Sequence, residues 1–367
     1  MVIPIDGIVG ARPNIMKMAA LSRAIAADGA FKLRLVHTGQ HYDAALSEDF
    51  IRELGLPRPD YNLEVGSGSQ AEQIARILVG YERLLLDTKP TPRGVVVVGD
   101  VNSTLACSLA AAKLGIPVAH VEAGLRSGDR SMPEEINRIV TDALSDLLFV
   151  SDPEGLRHLG REGRPPERTW HVGNVMVDTL LRELPRARES TVLERLGVVK
   201  DRYAYMTLHR PSNVDDPGGL RDLVETVGVI AMQIPVVFAV HPRTAARLRS
   251  AEIELKRIIH VGPQGYHDNV RLIQDAKLVL TDSGGIQEEA AILEVPCLTL
   301  RQNTERPVTI ELGSSELVGN NSAKILAGWR RVAEGRWKRA QQIPLWDGRA
   351  AERIAGHLKA QWGQGNE

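Results

Sequence analysis

Short apolar runs alternate with longer amphipathic segments along most of the chain. The apolar runs predict buried strands in a first group, 2–9, 33–37, 94–99, 117–121 and 147–151, and in a second group, 203–208, 234–240, 258–261, 277–281 and 296–300. Helical patterns between them include 15–27, 70–87, 102–114, 133–145, 218–231, 284–294 and 322–334. This alternation predicts an α/β fold with parallel sheets covered by helices on both faces.

The two groups of strands predict two doubly wound, Rossmann-like domains with a cleft between them. A length of 367 residues also favours two domains. A polar, Arg- and Pro-rich stretch at 159–170 precedes the crossing, so we place the domains at residues 1–172 and 173–349. The last segment, 350–367, predicts a terminal helix that returns to the N-terminal domain.

Composition narrows the classes of partner. Hydrophobic residues make up 43% of the chain and charged residues 25%, values typical of a globular protein with an ample core. The formal net charge of −1 argues against nucleic acid or an anionic membrane as the main partner. It is compatible with a local cationic pocket for a small phosphate ligand.

The two cysteines and the N-terminal run indicate the compartment. Cys107 and Cys297 each lie in an apolar segment and are expected to be buried, without a disulfide framework. Asp6 interrupts the N-terminal apolar run, which predicts a first strand and not a signal peptide. His41, His120 and Cys107 have no metal-ligand spacing, so no metal site is predicted. We expect a reducing, cytoplasmic setting.

Ionisable or anion-binding side chains follow the predicted strands, at the edge where open α/β sheets bind ligands. The strand ends carry Gly10 to Pro13, Asp100, Glu122, His209 with Arg210, His241 with Arg243, and Asp282 with Ser283. Two facing domains would gather these groups into one cleft.

Residues 277–290, KLVLTDSGGIQEEA, predict an anion site. A buried strand passes through Ser283, Gly284 and Gly285 directly into a helix, whose first amide N–H groups and dipole favour a phosphate. Glu289 lies further along this helix, where its carboxylate could accept ribose hydroxyls. The alternative is an ordinary strand–turn–helix with a serine cap.

Three further cations are candidates for phosphate binding. Arg12 and Lys17 lie at a helix start, where cations are unfavourable unless an anion is present. We favour phosphate binding over a solvent-exposed basic turn. Arg306 is either another phosphate contact or the partner of Glu305 in a loop ion pair.

Three carboxylates are candidates for acid–base chemistry. Asp100 either acts at the site or caps the helix that follows it. Glu122 follows an apolar strand and precedes a glycine, so we expect it to be partly buried and suited to proton transfer. Glu134 has the spacing of a helical ion pair with Arg138, and it becomes functional if it faces the same site. Together the three could supply one protonated acid and one ionised base.

These motifs together resemble the UDP-N-acetylglucosamine 2-epimerase family. GARPN, GQHY, GDVNST, HVEAGLR, PEEINR, LHR, HPR, TDSGGIQEEA, TERP and GRAAERI occur in that family's order, from residue 7 to about residue 355. The resemblance implies two Rossmann-like domains, as in B-type glycosyltransferases, with the active site between them and a C-terminal helix that returns to the first domain.

The resemblance also implies roles for individual residues. The catalytic group would be Asp100, Glu122, Glu134 and His209. The UDP-binding group would be Arg12, Lys17, Arg138, Ser283, Gly284, Gly285, Glu289 and Arg306. A second UDP-sugar, bound as an activator, would contact Gln40, Arg210 and His241.

The implied reaction inverts C2 of UDP-GlcNAc to give UDP-ManNAc. UDP would leave and a carboxylate would take the C2 proton, which gives 2-acetamidoglucal. A proton would then be added to the other face of C2, and UDP would be added back at C1. The resemblance implies no cofactor and no metal, a homodimer, and a role in cell-surface polysaccharide biosynthesis.

Departures from the family pattern leave the sugar open. Asn14 and Val308 stand where many members have Glu, Pro211 where Arg is frequent, and Asn269 at a place often aromatic. The alternatives are an epimerase of an oxidised, diacetamido or 6-deoxy UDP-sugar and a hydrolysing enzyme that releases ManNAc. A B-type glycosyltransferase and a non-catalytic nucleotide-sugar sensor are further alternatives.

Overall fold

The computed structural model describes residues 2–40 and 50–363, which fold into two compact units. The first comprises Met1–Leu181 with Pro344–Glu367, and the second Arg182–Ile343. The division predicted after residues 172 and 349 stays a prediction. His41 and Tyr42 of the GQHY motif lie outside the described residues.

The first unit contains a seven-stranded parallel sheet in the order β3-β2-β1-β4-β5-β6-β7. Its strands are β1 Ile3–Val9, β2 Phe31–His37, β3 Tyr61–Asn62, β4 Val95–Val98, β5 Val118–Ala123, β6 Leu147–Val150 and β7 Thr169–His171. Its helices are α1 Arg12–Asp28, α2 Gln70–Asp87, α3 Asn102–Lys113, α4 Pro133–Leu144 and α5 Pro153–Arg161, and α6 Val175–Arg188 leads onward.

The second unit contains a six-stranded parallel sheet in the order β10-β9-β8-β11-β12-β13. Its strands are β8 Ala204–Leu208, β9 Val236–Val240, β10 Ile258–Val261, β11 Leu278–Thr281, β12 Cys297–Thr299 and β13 Ser315–Leu317. Its helices are α7 Val192–Leu196, α8 Pro211–Val214, α9 Pro217–Ala231, α10 Pro242–Ser250, α11 Tyr266–Gln274, α12 Gly284–Ile292, α13 Val308–Glu311 and α14 Ser322–Ala333.

These two sheets confirm the predicted Rossmann-like fold class. The central strands are short apolar runs buried on both faces, as Val95–Val98 shows, because helices cover both sides of each sheet. The sequence did not predict the edge strands β3, β7 and β13, which contain only two or three residues each. The terminal helix, α15 Ala350–Trp362, packs against α1, and a side chain at Gly94 would collide with the Trp362 ring. The terminal helix therefore lies within the first unit.

Each sheet reverses its strand order once near the middle. In the first sheet the reversal lies between β1 and β4, and in the second between β8 and β11. Adjacent connections leave toward opposite faces at such a switch point, which opens a crevice at the carboxyl ends of the strands. The switch points are therefore where each unit can hold a ligand. In the described part of the chain, no helix combines the length and apolar character needed to cross a membrane.

Candidate functional site

The first switch point begins where β1 passes into α1. A side chain at Gly10 would collide with the hydroxyls of Ser103 and Thr38, so the chain turns tightly here. The cap residue, Ala11, has no side-chain acceptor for the first helical amides, which suits this terminus to an external anion. The half-buried Arg12 lies in this first turn, and its guanidinium carbon is 4.3 Å from the centre of the Phe50 ring.

Lys17 occupies a different place from Arg12. Its ammonium group forms a buried ion pair with the Glu122 carboxylate, and both side chains are at most 6% exposed. A side chain at Gly99 would lie 2.8 Å from Lys17 Nζ, 3.3 Å from Glu122 Oε2 and 3.8 Å from Asn14 Nδ2. Gly99 therefore lies directly against the side chains of Lys17, Glu122 and Asn14. Phosphate binding by Lys17 stays a prediction, and its observed partner is a carboxylate.

Glu122 has an unusual backbone conformation. Its φ angle is 75°, in the left-handed region that residues other than glycine seldom adopt. The pairing of β5 with β6 shifts register between Val121 and Ala123, so Glu122 is the extra residue of a β-bulge. Bulges redirect side chains and are frequent beside active sites. This strain points the Glu122 carboxylate out of the sheet alternation and toward Lys17.

Asp100 is held by Arg138. Arg138 Nη1 donates to Asp100 Oδ2 at 2.5 Å, and Nη2 donates to Glu135 Oε2 at 2.6 Å. The cap of α3 is Val101, so the Asp100 carboxylate turns to the arginine and not to the helix start. Arg138 is 1% exposed, with its guanidinium shared between two carboxylates. UDP binding by Arg138 stays a prediction. In the structure Arg138 orients the Asp100 carboxylate through their hydrogen bond.

The helical ion pair predicted between Glu134 and Arg138 is wrong. Arg138 pairs with Glu135, three residues earlier, because Glu135 faces the interior and accepts hydrogen bonds from Ser127 N and Gly128 N. Burial would raise the pKa of Glu135, but those backbone bonds and Arg138 hold it below its ordinary value. Glu134 is half-buried in the first turn of α4, and within the described residues its carboxylate has no hydrogen bond or ion pair.

A buried network supports the strand ends of this unit. His120 places one ring nitrogen 2.6 Å from Asp142 Oδ1 and the other 2.8 Å from the carbonyl oxygen of Gly99. Arg126 Nη2 donates to Asp142 Oδ2 at 2.7 Å. Burial would raise the pKa of Asp142, but His120 and Arg126 together lower it. His120 therefore holds the peptide that precedes Asp100.

The second switch point contains the predicted phosphate turn. Ser283 caps α12 by accepting a 3.5 Å hydrogen bond from the Ile286 amide, so the serine cap of the alternative interpretation is present. Phosphate binding at this turn stays a prediction. Gly284 is in contact with Arg306, because an added side chain would lie 2.5 Å from Arg306 Nη1. The first turn of α12 contains no acidic residue, and its amide N–H groups point outward. Glu289, in the same helix, is buried.

Arg306 is part of a charged cluster that sequence reasoning missed. It donates from Nε to Glu288 Oε1 at 2.5 Å and from Nη1 to Glu305 Oε1 at 2.6 Å. Arg301 Nη2 is 2.7 Å from Glu305 Oε2, and Arg210 Nη2 is 3.6 Å from Glu305 Oε1. Burial would raise the pKa of Glu305, but Arg306, Arg301 and Arg210 hold it far below the usual range. The Glu305 pairing predicted for Arg306 is therefore present, beside the turn.

The remaining candidates lie at neighbouring strand ends. His209 follows β8, and its ring centre is 6.0 Å from that of His241, which follows β9. His241 caps α10 by accepting a 3.2 Å hydrogen bond from the Arg243 amide. Gln40, in the first unit, accepts a 2.6 Å hydrogen bond from Ser103 Oγ. Activator binding by Gln40, Arg210 and His241 stays a prediction.

Metal-binding geometry is not evident in the part of the chain that the structure describes. No group of three or more His, Cys, Asp or Glu side chains there could hold a metal ion. Both cysteines are fully buried and free, in agreement with the sequence.

Comparison with known proteins finds similarity to UDP-sugar 2-epimerases. The family model described as UDP-N-acetylglucosamine 2-epimerase matches residues 23–359. UDP-N-acetylglucosamine 2-epimerase of Methanocaldococcus jannaschii is 42% identical over 357 residues, which cover 95% of this chain and 96% of that protein. UDP-2,3-diacetamido-2,3-dideoxy-D-glucuronate 2-epimerase of Pseudomonas aeruginosa is 40% identical over 354 residues, which cover 96% of this chain and 98% of that protein.

A solved structure shares the whole fold. The crystal structure of the Methanocaldococcus jannaschii UDP-GlcNAc 2-epimerase in complex with UDP-GlcNAc and UDP matches with a TM-score of 0.90 and 41% identity, covering 98% of this chain and 100% of that chain. This confirms the predicted likeness to the B-type glycosyltransferase fold and the predicted enzyme class, an isomerase. The chain belongs to the UDP-N-acetylglucosamine 2-epimerase family.

Proposed function

We propose that the protein is a non-hydrolysing epimerase that interconverts UDP-GlcNAc and UDP-ManNAc. The observation that carries the proposal is the buried Glu122 carboxylate, redirected by a bulge and paired with Lys17 at a switch point. A left-handed backbone at a bulge is costly for a residue other than glycine, and such strain is frequent at functional sites, which supports a role for Glu122. The names of the relatives supply the class of substrate, a UDP-sugar.

The proposed reaction begins with elimination. The C1–O bond to UDP breaks, and UDP leaves with its electron pair while positive charge develops at C1. A carboxylate, Glu122 or Asp100, takes the C2 proton, and the C2–H electrons form the C1=C2 double bond of 2-acetamidoglucal. A protonated acid, with Glu134 as the candidate, then delivers a proton to the other face of C2. UDP adds back at C1, so the sugar nucleotide regains every atom that it lost. The cycle closes when the base releases the C2 proton to solvent and the acid takes up a proton from solvent, which restores both carboxyl groups.

The cations of the second unit would stabilise the departing UDP. The turn at Ser283, Gly284 and Gly285 offers helix amides, Arg306 lies against that turn, and His209 follows the neighbouring strand. Electrostatic stabilisation of the charge that develops in the transition state is usually the largest catalytic contribution. Arg12 is proposed to hold the diphosphate as well, and Glu289 the ribose.

The sugar is the part of the proposal with a close competitor. The relative from Pseudomonas aeruginosa, at 40% identity, is named for a diacetamido-glucuronate sugar. Asn14, which replaces the Glu of many members, lies near Lys17 and Glu122, and its buried Oδ1 has no hydrogen-bond partner within residues 2–40 and 50–363. The second candidate function is therefore 2-epimerisation of a modified UDP-sugar. A hydrolysing outcome would use the same acids and differ in water access.

We also propose the partners implied by the family resemblance. They are a second UDP-sugar as activator at Gln40, Arg210 and His241, and a second copy of the chain in a homodimer. The cytoplasm and cell-surface polysaccharide biosynthesis are the proposed setting.

Product analysis tests the function directly. Purified protein is incubated separately with UDP-GlcNAc and with UDP-2,3-diacetamido-2,3-dideoxy-glucuronate, and the products are identified by NMR. The proposal expects UDP-ManNAc from the first substrate, at a much higher kcat/KM than for the second. Free ManNAc and UDP would contradict it in favour of hydrolysis, and turnover of the diacetamido sugar alone would contradict it in favour of the second candidate.

A further inference from the structure

We propose that Asp282 is a positioning residue for His209: it fixes the ring tautomer so that Nε2 is the nitrogen presented to the leaving diphosphate. The catalytic part of this inference rests on the proposed function. Asp282 is fully buried, and its Oδ1 lies 2.9 Å from His209 Nδ1. Neither the motif-based roles nor the relatives' names assign Asp282 a part in the reaction.

The two carboxylate oxygens of Asp282 make different contacts. Oδ2 accepts hydrogen bonds from His209 N at 3.1 Å, from Arg210 N at 2.9 Å and from Asn213 Nδ2 at 3.1 Å. These bonds hold the backbone that follows β8. Oδ1 faces His209 Nδ1, with a longer contact of 3.2 Å from the His209 amide. One oxygen therefore fixes the loop and the other fixes the imidazole.

Proton counting then determines the tautomer. With so many donors directed at it, Asp282 is an ionised acceptor: burial would raise its pKa, but His209, the Arg210 amide and Asn213 lower it. A carboxylate only accepts, so the 2.9 Å approach of Asp282 Oδ1 to His209 Nδ1 favours a proton on that nitrogen. In the neutral ring Nε2 is then the basic nitrogen, and in the charged ring it is the one that can donate to an anion.

The position of Nε2 fits this role. The His209 side chain is 40% exposed, and among the described residues no hydrogen bond or ion pair involves Nε2. A histidine kept for structure alone would be expected to have both nitrogens satisfied, as His120 has. His209 instead has one nitrogen held and one open.

The carboxylate that orients His209 belongs to the phosphate turn itself. Asp282 lies between β11 and Ser283. The neighbouring strands that lead to His209 and Asp282, β8 and β11, are joined by a 2.6 Å hydrogen bond between the Thr207 and Thr281 hydroxyls. Thr281 Oγ1 also accepts from the Ser283 amide at 3.0 Å. The ring and the helix amides are therefore fixed relative to each other through a few bonds, the preorganisation that anion stabilisation requires.

The direct test is ¹⁵N NMR of the histidine rings at a pH where they are neutral, with the His209 signal assigned through His209→Gln. The wild type is expected to show His209 as the Nδ1–H tautomer. A dominant Nε2–H form, or an even mixture, would overturn the proposal. This measurement needs no substituted carboxylate, so it decides the matter even where a variant fails to fold.

Asp282→Asn provides the second test, with Asp275→Asn as its matched control. Both carboxylates are buried and ion-paired, and they flank the same strand, β11, at opposite ends. Asp282→Asn is expected to lose the fixed tautomer and to lower kcat roughly 10²-fold, with KM changed far less. Asp275→Asn is expected to lower stability while the His209 signals and kcat stay as in the wild type. Equal effects of both variants on kcat would overturn the proposal.

The tautomer measurement also separates this inference from the proposed function. A wild type with the Nδ1–H tautomer that fails to epimerise UDP-GlcNAc would contradict the function and leave the dyad standing. An active wild type whose His209 carries its proton on Nε2 would contradict the dyad and leave the function standing.

Discussion

The two switch points use opposite electrostatic arrangements. In the first unit the candidate groups are acidic, and buried cations hold them: Lys17 pairs with Glu122 and Arg138 with Asp100. In the second unit the chemistry is cationic, and buried acids hold the cations, as Asp282 holds His209. Each set of candidate groups is thus paired with the opposite charge, at the carboxyl ends of two sheets that share one strand order except for an additional strand, β7, in the first.

This contrast would suit one fold to both parts of the proposed elimination. Proton transfer needs carboxylates of fixed direction, and departure of a diphosphate needs fixed cations and amides. A buried partner fixes direction because removing it leaves an uncompensated charge, which costs about 3–5 kcal/mol. The predictions below test whether the partners do this work.

Removal of the Glu122 charge should have the largest effect. Glu122→Gln keeps the shape of the side chain but cannot take a proton, so kcat for epimerisation should fall about 10³-fold or more. UDP affinity, measured by calorimetry, should change little. Glu352→Gln, in an exposed ion pair of α15, is the control and should behave as the wild type. Full epimerase activity in Glu122→Gln would remove Glu122 from proton transfer, whereas UDP binding without epimerisation in the wild type and the variant alike would favour the nucleotide-sugar sensor.

Lys17→Met separates two roles for one cation. If Lys17 holds Glu122, kcat should fall about 10²-fold and UDP affinity should stay near the wild-type value. If Lys17 binds phosphate, as the sequence predicted, UDP affinity should fall and kcat should change less. Kinetics and calorimetry on the same sample decide between them, with the exposed Lys113→Met as the control.

Arg12→Ala should weaken UDP binding about 10- to 100-fold, the cost of losing a charged hydrogen bond to phosphate. Arg12 lies at a helix start without side-chain capping, and it stacks on Phe50. Calorimetry with UDP measures the change, and the exposed Arg58→Ala serves as the control. Unchanged affinity would remove Arg12 from the phosphate site.

The pH dependence of Asp282→Asn tests the ionised carboxylate. Its folded-state pKa is lowered by His209, the Arg210 amide and Asn213 against the opposing effect of burial. The stabilisation is therefore present above the unfolded-state pKa of about 3.9 and is lost as the pH falls through the folded-state value. The difference in unfolding free energy from wild type, about 2–3 kcal/mol at pH 7, should shrink below about pH 4. Urea titrations at several pH values measure it, and a constant difference would contradict an ionised Asp282.

The smallest effect is expected when the folded protein is treated with a thiol reagent, because both cysteines are buried and neither belongs to a charge network at a switch point. Burial raises the pKa of the Cys107 thiol well above its ordinary value and that of Cys297 to about 11. The folded protein should therefore not react with a thiol reagent at pH 8, whereas in the urea-unfolded chain both thiols should react with it. Rapid labelling in the folded state would contradict the buried positions.

The sequence predicted the residues at the strand ends better than the contacts that those residues make. Apolar runs locate the strands, and the residues that follow them lie at one edge of a parallel sheet, so Asp100, Glu122 and Ser283 could be found without coordinates. The pairing of Lys17 with Glu122 joins residues 105 positions apart, and no local periodicity reports such a contact. Asp282 stood in a motif already singled out, but its contact with His209 depends on the pairing of β8 with β11.

The errors have equally local causes. Glu134 and Glu135 both satisfy helical spacing with Arg138, and the choice between them depends on which one meets the loop at Ser127. The edge strands β3 and β13 are too short to produce an apolar run. The bulge at Glu122 leaves no sequence signature except Gly124, two residues further along the chain.

The most direct test of the central claim, that Glu122 and its neighbouring acids exchange the C2 proton of a UDP-sugar, is isotope incorporation. UDP-GlcNAc is incubated in D₂O with the wild type and with Glu122→Gln, and the C2 position is followed by NMR. The account predicts that the wild type incorporates deuterium at C2 as UDP-ManNAc appears, while the variant incorporates almost none. Formation of UDP-ManNAc with the original proton retained at C2, or equal exchange by the variant, would contradict it.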